Sequence, residues 1–440
     1  MPDPALLKDL LTWLRIPSIS TGGGEPQDLE RAAQFVCDRV LAAGGTCELV
    51  TVDGGSPLAV GELRAGDPRA PTVLIYGHYD VQSVGPPDAW ESPPFDPQIR
   101  GDRLYARGAS DDKGNFLPLL HEACALAREG ALPVHVRVLV EGEEEHAGAS
   151  VGAWARQDTR GADCAIVFDS GMEDAGTPAI CVGLRGFVAA TIEVDCQPRD
   201  LHSGTYGGSV LNALHVLHGA LANVLPDACG AVREELRAGV EPPSPAELES
   251  WARLRPGAEI LGEVGARPLH PQAGAEYRVR NGCEPTVEVN WIEAGGPRTI
   301  VPAKARSYVT MRLAPRQDPE QMRGVLDELL RRELPEGARM DITWALASPA
   351  LFAPELPAMR IAARAIERAT GMPAVFVRIG GSIPAVADLA AHGMPVIVGG
   401  FALAEDDIHA PNESFRLESI DLCQKTAREL LLALGDLPRG

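Results

Sequence analysis

Two histidines and a series of carboxylates stand just past apolar runs in this chain. These are the residue types that bind divalent cations. PTVLIYGHYD (71–80) ends in His78 and Asp80, and VHVRVLVEGEEE (134–145) ends in Glu141, Glu143, Glu144 and Glu145. ADCAIVFDSG (162–171) carries Asp169, and RGASDDKG (107–114) carries Asp111 and Asp112. A late run, MPVIVGGF (394–401), is followed by AEDDIHAPNE with His409. Each signal alone has a plainer reading. A histidine after a strand is usually a solvated loop residue, a glutamate run is usually a solvated turn, and Asp-Asp before a helix usually caps it. Five candidate ligands (His78, Asp111, Glu145, Asp169, His409) at successive strand ends are much harder to obtain by chance. Carboxylates crowded on one rim repel one another unless a cation neutralises them. Two imidazoles with three carboxylates suit a borderline metal such as zinc, and five ligands fit two ions sharing a carboxylate. One further carboxylate would remain beside the site as a general base.

The elements that must position these residues follow from periodicity. Residues 3–15, 28–43, 113–129 and 354–370 read as helices, with apolar positions at i, i+3 and i+4. The β-branched runs at 71–80, 134–145, 162–171 and 394–401 read as strands buried on both faces. Their alternation predicts an α/β fold with a mostly parallel sheet flanked by helices, and ligands bind at the carboxyl ends of such strands. Residues 187–345 read differently. A half-buried strand at 187–196, a helix at 208–224, strands at 285–294 and 305–314, a helix at 319–333 and a last strand at 339–346 give a βαββαβ order. That order predicts a smaller ferredoxin-like α+β domain inserted into the first. The expected domains are therefore 1–186 with 346–440, and 187–345. Residues 226–285, rich in Pro, Gly and charge, give no clear assignment.

Composition excludes other classes. Lys and Arg number 40 against 61 Asp and Glu, a net charge of −21. That balance argues against nucleic acid and against an anionic membrane surface as partners. No apolar run approaches the roughly 18 residues that span a bilayer. The N-terminus reads as an amphipathic helix, not a signal peptide. Nine Cys without a CxxC pair suit free thiols in a reducing cytoplasm.

HYDVQ, RGASDDKG, EGEEE, DLHSGTYGG, GGSIP and HAPNE together resemble the M20 metallopeptidases, in family order over most of the chain. GHYDVQ, RGASDDKG and GGSIP are similar to the dipeptidase branch. The resemblance implies that His78 and Asp169 bind one ion, that Glu145 and His409 bind the other, and that Asp111 bridges them. It makes Glu144 the general base and Asp80 the support of the His78 ring. It implies two divalent ions, most often zinc, with manganese or cobalt as alternatives. His202, in DLHSG, would stabilise the oxyanion, often from a partner subunit. Arg312 would bind the substrate's terminal carboxylate, with Gly381 and Ser382 adding backbone or hydroxyl donors, and Asp112 and Lys113 would shape the turn at Asp111–Asp112. The Asp111–Asp112 peptide is commonly cis in the family.

The implied activity is hydrolysis of a dipeptide or short peptide, as a dipeptidase or carboxypeptidase, in a homodimer formed through an inserted lid domain. An N-acyl amino acid deacylase is the second reading, and a catalytically silent binding protein on the same fold is the third. Two departures stand out. Ile379 occupies a position before Gly-Gly that is often acidic in the carnosinase-like sequences. Three consecutive glutamates also leave open whether base and ligand are Glu144 and Glu145 or Glu143 and Glu144.

Overall fold

The computed structural model describes residues 1–146 and 148–438. Two compact units emerge. The first comprises Met1–Val182, Phe352–Val377 and the stretch from Ile383 onward, and the second comprises Gly183–Leu351 with Arg378–Ser382.

The first unit is built on a mixed sheet. Its strands run in the order Thr46–Val50, Leu58–Leu63, His135–Glu141, Thr72–His78, Cys164–Phe168, Val396–Gly399 and Ala179–Leu184. The middle four are parallel, as their β-branched runs predict. Pairing turns antiparallel on both sides of them, so the sheet is mixed where the sequence suggests mostly parallel. The two strands at one end of the series, Thr46–Val50 and Leu58–Leu63, pair with each other antiparallel. They are not singled out by periodicity, because Thr46–Val50 is half exposed and short. Thr72–His78 and His135–Glu141 are buried almost throughout, so their backbone groups must be paired within the sheet.

Helix Lys113–Glu129 packs on strand Thr72–His78 and stops at Gly130, whose φ of +66° a residue with a side chain rarely adopts. Helix Pro4–Leu14 is capped by Asp3, which accepts from the amides of Ala5 and Leu6. Its Trp13 stacks on Phe35 of helix Pro26–Ala42, with ring centroids 5.3 Å apart. Helix Leu417–Ala433 lies against both Lys113–Glu129 and Pro357–Thr370.

The second unit holds a four-stranded antiparallel sheet in the order Thr286–Ala294, Lys304–Arg312, Phe187–Asp195, Arg339–Ala347. With helices Ala213–Ala222 and Pro319–Arg331 this is the ferredoxin-like βαββαβ arrangement. Ile192, Val194, Leu217, Val309, Met311, Leu326 and Leu329 share its core. The first helix begins at Ala213, later than periodicity suggests, because Asn212 caps it through the amides of Leu214 and His215. The 226–285 stretch contains three short helices, Pro245–Trp251, Gly257–Glu263 and Tyr277–Gly282. Among the described residues no helix is long and apolar enough to cross a membrane.

Candidate metal centre

The carboxyl ends of the parallel strands bring together five side chains from distant parts of the first unit. His78 is the last residue of its strand and is fully buried. Its Nδ1 lies 3.1 Å from the Asp80 carbonyl, which can only accept. In the neutral ring the proton therefore sits on Nδ1, which leaves the Nε2 lone pair available to a cation. That Nε2 is 3.0 Å from Asp111 Oδ1 and 3.7 Å from Asp169 Oδ1. On the other side His409 Nε2 is 2.9 Å from Asp111 Oδ2 and 3.0 Å from Glu145 Oε2. Asp111 thus offers one oxygen to each histidine. His78, Asp111 and Asp169 form one set of potential ligand atoms and Asp111, Glu145 and His409 a second, each with its atoms within 4.8 Å of one another.

The glutamate run separates by environment. Glu141 accepts from the buried Tyr76 hydroxyl at 2.5 Å. Glu143 points elsewhere, accepting from the Ser56 amide at 2.6 Å and the Ser150 hydroxyl at 2.7 Å. Glu145 joins His409, and its other oxygen accepts from the Gln82 amide at 3.0 Å. Glu144 is half-buried and makes no hydrogen bond among the described residues. Of the two possible registers, this geometry places Glu145 in the cluster and leaves Glu144 beside it.

The electrostatics fit a divalent cation. Burial, then the charge of Asp169, pushes Glu144 up to about 9. Burial, helped by Asp111 and Glu145 and opposed by His78, raises Asp169 to about 6. Hydrogen bonds to Asp111 and Glu145 raise His409 to about 10. Burial resists ionisation of Asp111, but bonds from His409 and His78 hold it well below the usual carboxylate range. The nearby basic residues do not relieve this crowding. Lys113 Nζ is buried and donates to the carbonyls of Trp13 and Ile16, capping the end of the first helix. Arg107 is committed to Glu413 at 2.7 Å. Two imidazoles among crowded carboxylates, their protons replaceable by a cation, are the donor set of a hard or borderline dication.

Other residues hold this arrangement. Asp80 is buried, with Oδ2 accepting from the Ser20 hydroxyl at 2.5 Å and from the Glu145 amide at 3.2 Å. Its Oδ1 lies 3.4 Å from His78 Nδ1, so Asp80 touches both ligand sets. Asp112 accepts from the His78 amide at 3.2 Å, and the Asp111–Asp112 peptide is cis. Glu413 is fully buried and was not singled out from sequence. Its Oε1 accepts from the amides of Ser110 and Asp111, and its Oε2 from Arg107 and the Gly108 amide. It thereby fixes the loop that carries Asp111. Its only sequence signal is that Arg107 and Glu413 lie inside RGASDDKG and HAPNE.

The remaining expected residues belong to the second unit. His202 is exposed, and its Nδ1 accepts from the Gly204 amide at 3.1 Å, which leaves the proton of the neutral ring on Nε2. Arg312 Nη1 approaches Ser382 Oγ at 3.5 Å, and the Gly381 carbonyl accepts from the Arg185 amide at 3.2 Å. The structure brings Arg312, Gly381 and Ser382 together.

A sheet whose strand ends present overlapping carboxylate and imidazole sets has the makings of a divalent-cation site. Residues 74–433 match Peptidase family M20/M25/M40, and the chain belongs to that family of metal-dependent peptidases. It is 26% identical over 422 residues to the cysteinylglycine-S-conjugate dipeptidase of Corynebacterium striatum, covering 92% of this chain and 90% of that protein. It is also 26% identical over 440 residues to the Cys-Gly metallodipeptidase dug1 of Schizosaccharomyces pombe, with the same coverage. Among solved structures, the M20 family metallo-carboxypeptidase Sso-CP2 from Sulfolobus solfataricus superposes with a TM-score of 0.86 at 25% identity, over 98% of this chain and 99% of that one.

Proposed function

We propose that this protein is an exopeptidase that hydrolyses the amide bond of dipeptides or short peptides at a two-metal centre. The carrying observation is Asp111, with one oxygen toward each of two histidines that each face a second carboxylate. In this reading His78, Asp111 and Asp169 would hold one cation, and Asp111, Glu145 and His409 would hold the other. Zinc is the proposed ion, with manganese or cobalt as alternatives, since the donor set suits all three. Bound cations would supply Lewis-acid polarisation of the scissile carbonyl and a nucleophile available near neutral pH.

The chain's own residues do the rest. Glu144 takes a proton from the attacking water and passes it to the leaving amine. Asp80 and the Asp80 carbonyl hold the His78 ring. His202 donates from Nε2 to the developing oxyanion. Arg312, Ser382 and Gly381 receive the substrate's terminal carboxylate, for which a guanidinium is the natural partner. The second unit serves as lid and dimerisation element of a homodimer. The cysteine pattern supports a cytoplasmic setting.

The names of the two dipeptidase relatives support a dipeptide substrate, and that of the Sulfolobus enzyme supports carboxypeptidase action on longer peptides. A substrate panel tests the proposal. Dipeptides, tetrapeptides and N-acyl amino acids are assayed on protein loaded with zinc, cobalt or manganese. Turnover of free dipeptides is expected. Turnover of N-acyl amino acids alone, or of nothing under any metal, would overturn it.

A further inference from the structure

The turn carrying Gly381 and Ser382 follows strand Val375–Ile379, and Arg378 of that strand is held by the part of the second unit least legible in sequence. Its Nε donates to Glu247 Oε1 at 2.5 Å and its Nη2 to Glu247 Oε2 at 3.0 Å. The two side chains are only 3% and 2% exposed. The guanidinium also donates to the carbonyls of Glu241 and Pro242, at 3.2 and 3.3 Å. Glu247 completes its own bonding by accepting from the Ser244 amide at 2.7 Å, as the third residue of a capping box. The Arg378 stem lies between two glycines. A Cβ on Gly183 would sit 2.7 Å from Arg378 Cγ, and one on Gly282 would sit 2.9 Å from Arg378 Cβ.

A second arginine ties the far end of the same turn. The Arg185 amide donates to the Gly381 carbonyl, and the Arg185 carbonyl accepts from the Ser382 hydroxyl. Its buried guanidinium donates to the Asn281 carbonyl, the Thr286 hydroxyl and the Arg312 carbonyl. Among the described residues neither Arg185 nor Arg312 pairs with a carboxylate, so Arg312, whose Nη1 is 3.5 Å from Ser382 Oγ, and the neighbouring Arg185 feel each other's charge without a counter-ion. That imbalance favours an incoming anion.

A buried ion pair contributes little net stability, because desolvation offsets its attraction, while a bidentate fork fixes geometry. We propose that the Glu247–Arg378 pair positions the Gly380–Ser382 turn, and through it the Arg312–Ser382 contact, so that the 226–285 segment sets how tightly a substrate's terminal carboxylate is held. The inference rests on the carboxylate role given above to Arg312 and Ser382. Glu247 and Arg378 are positioning residues, since neither reaches the substrate in this account.

Two variants test it. Glu247→Gln removes the charge. The double variant Glu247→Leu/Arg378→Met removes the pair without leaving a buried charge unpaired. Each is assayed with metal loaded on alanyl-glycine and on its C-terminal amide, and amide hydrogen exchange is followed at residues 379–382. The expected result is a KM for the acid raised about tenfold, the scale of one charge-assisted hydrogen bond. With it, kcat stays within about twofold, the amide is unaffected, and exchange at the turn is faster by a similar factor. Wild-type KM and wild-type exchange in both variants would overturn the proposal, as would equal losses on acid and amide. If the wild-type protein cleaves acid and amide with equal KM, the carboxylate reading itself fails. Exchange at the turn would then still accept or reject the brace.

Discussion

Three adjacent glutamates of one chemical type meet three environments, and the environments divide their work. Glu143 is buried and saturated by the Ser56 amide and the Ser150 hydroxyl. Glu145 faces His409. Glu144 has no fixed partner among the described residues, and burial beside Asp169 raises its proton affinity. A group that must accept and then return a proton needs that freedom. Glu144→Gln is therefore expected to lower kcat by about a hundred- to ten-thousand-fold, with metal stoichiometry by mass spectrometry unchanged. Near wild-type turnover would remove Glu144 from the mechanism. Glu143→Gln is expected to do the reverse. It weakens charge-assisted bonds to Ser56 and Ser150, so unfolding should cost about 1.5–3 kcal/mol less, while kcat per folded, loaded protein stays within about twofold. A collapse of kcat at full metal content would instead favour the other glutamate register.

At the scale of elements, much of the site's support was readable because period and function coincide. Strand Thr72–His78 and helix Lys113–Glu129 carry their patterns in continuous apolar runs, so both could be read locally. Helices Pro245–Trp251 and Tyr277–Gly282 could not. They are short, and Glu247 and Asn281 are held by arginines about a hundred residues or more away in sequence. The same limit hid Glu413. Its bonds to Ser110 and Asp111 span about three hundred residues, and nothing local marks a buried glutamate as a loop clamp. Its importance can be measured. Glu413→Gln leaves Arg107, 1% exposed, without its counter-charge, which should cost about 3–5 kcal/mol. Because the Asp111 amide is one of the lost anchors, metal content should fall with stability. A variant with the wild-type melting temperature and full metal would show that the loop holds without its clamp.

At the scale of the whole molecule the acidic excess takes on a specific meaning. Of 61 carboxylates, Asp80, Asp111, Glu144, Glu145 and Asp169 converge on one strand-end rim, where burial and mutual repulsion destabilise the ionised form of some of them. Two dications would offset four of the 21 net negative charges. Chelation should therefore lower the melting temperature, since an ion at a thousand times its Kd stabilises the fold by about 4 kcal/mol, and an unchanged melting temperature would deny a tight site.

The proposed homodimer gives a sharper test of how one molecule depends on another. His202 is exposed on the second unit, and with Nδ1 accepting from the Gly204 amide its neutral ring has the Nε2 proton to donate. If it serves the metal centre of the partner subunit, a Glu144→Ala chain and a His202→Ala chain, each nearly inactive alone, should regain activity when mixed. One of the two sites in a mixed dimer would then carry both wild-type residues. At equal mixing about half the dimers are mixed and each has one intact site, so roughly a quarter of wild-type activity is expected by the statistics of a twofold assembly. Activity that stays at the level of the separate variants, in a sample shown by light scattering to exchange subunits, would place His202 at the site of its own chain or outside the mechanism.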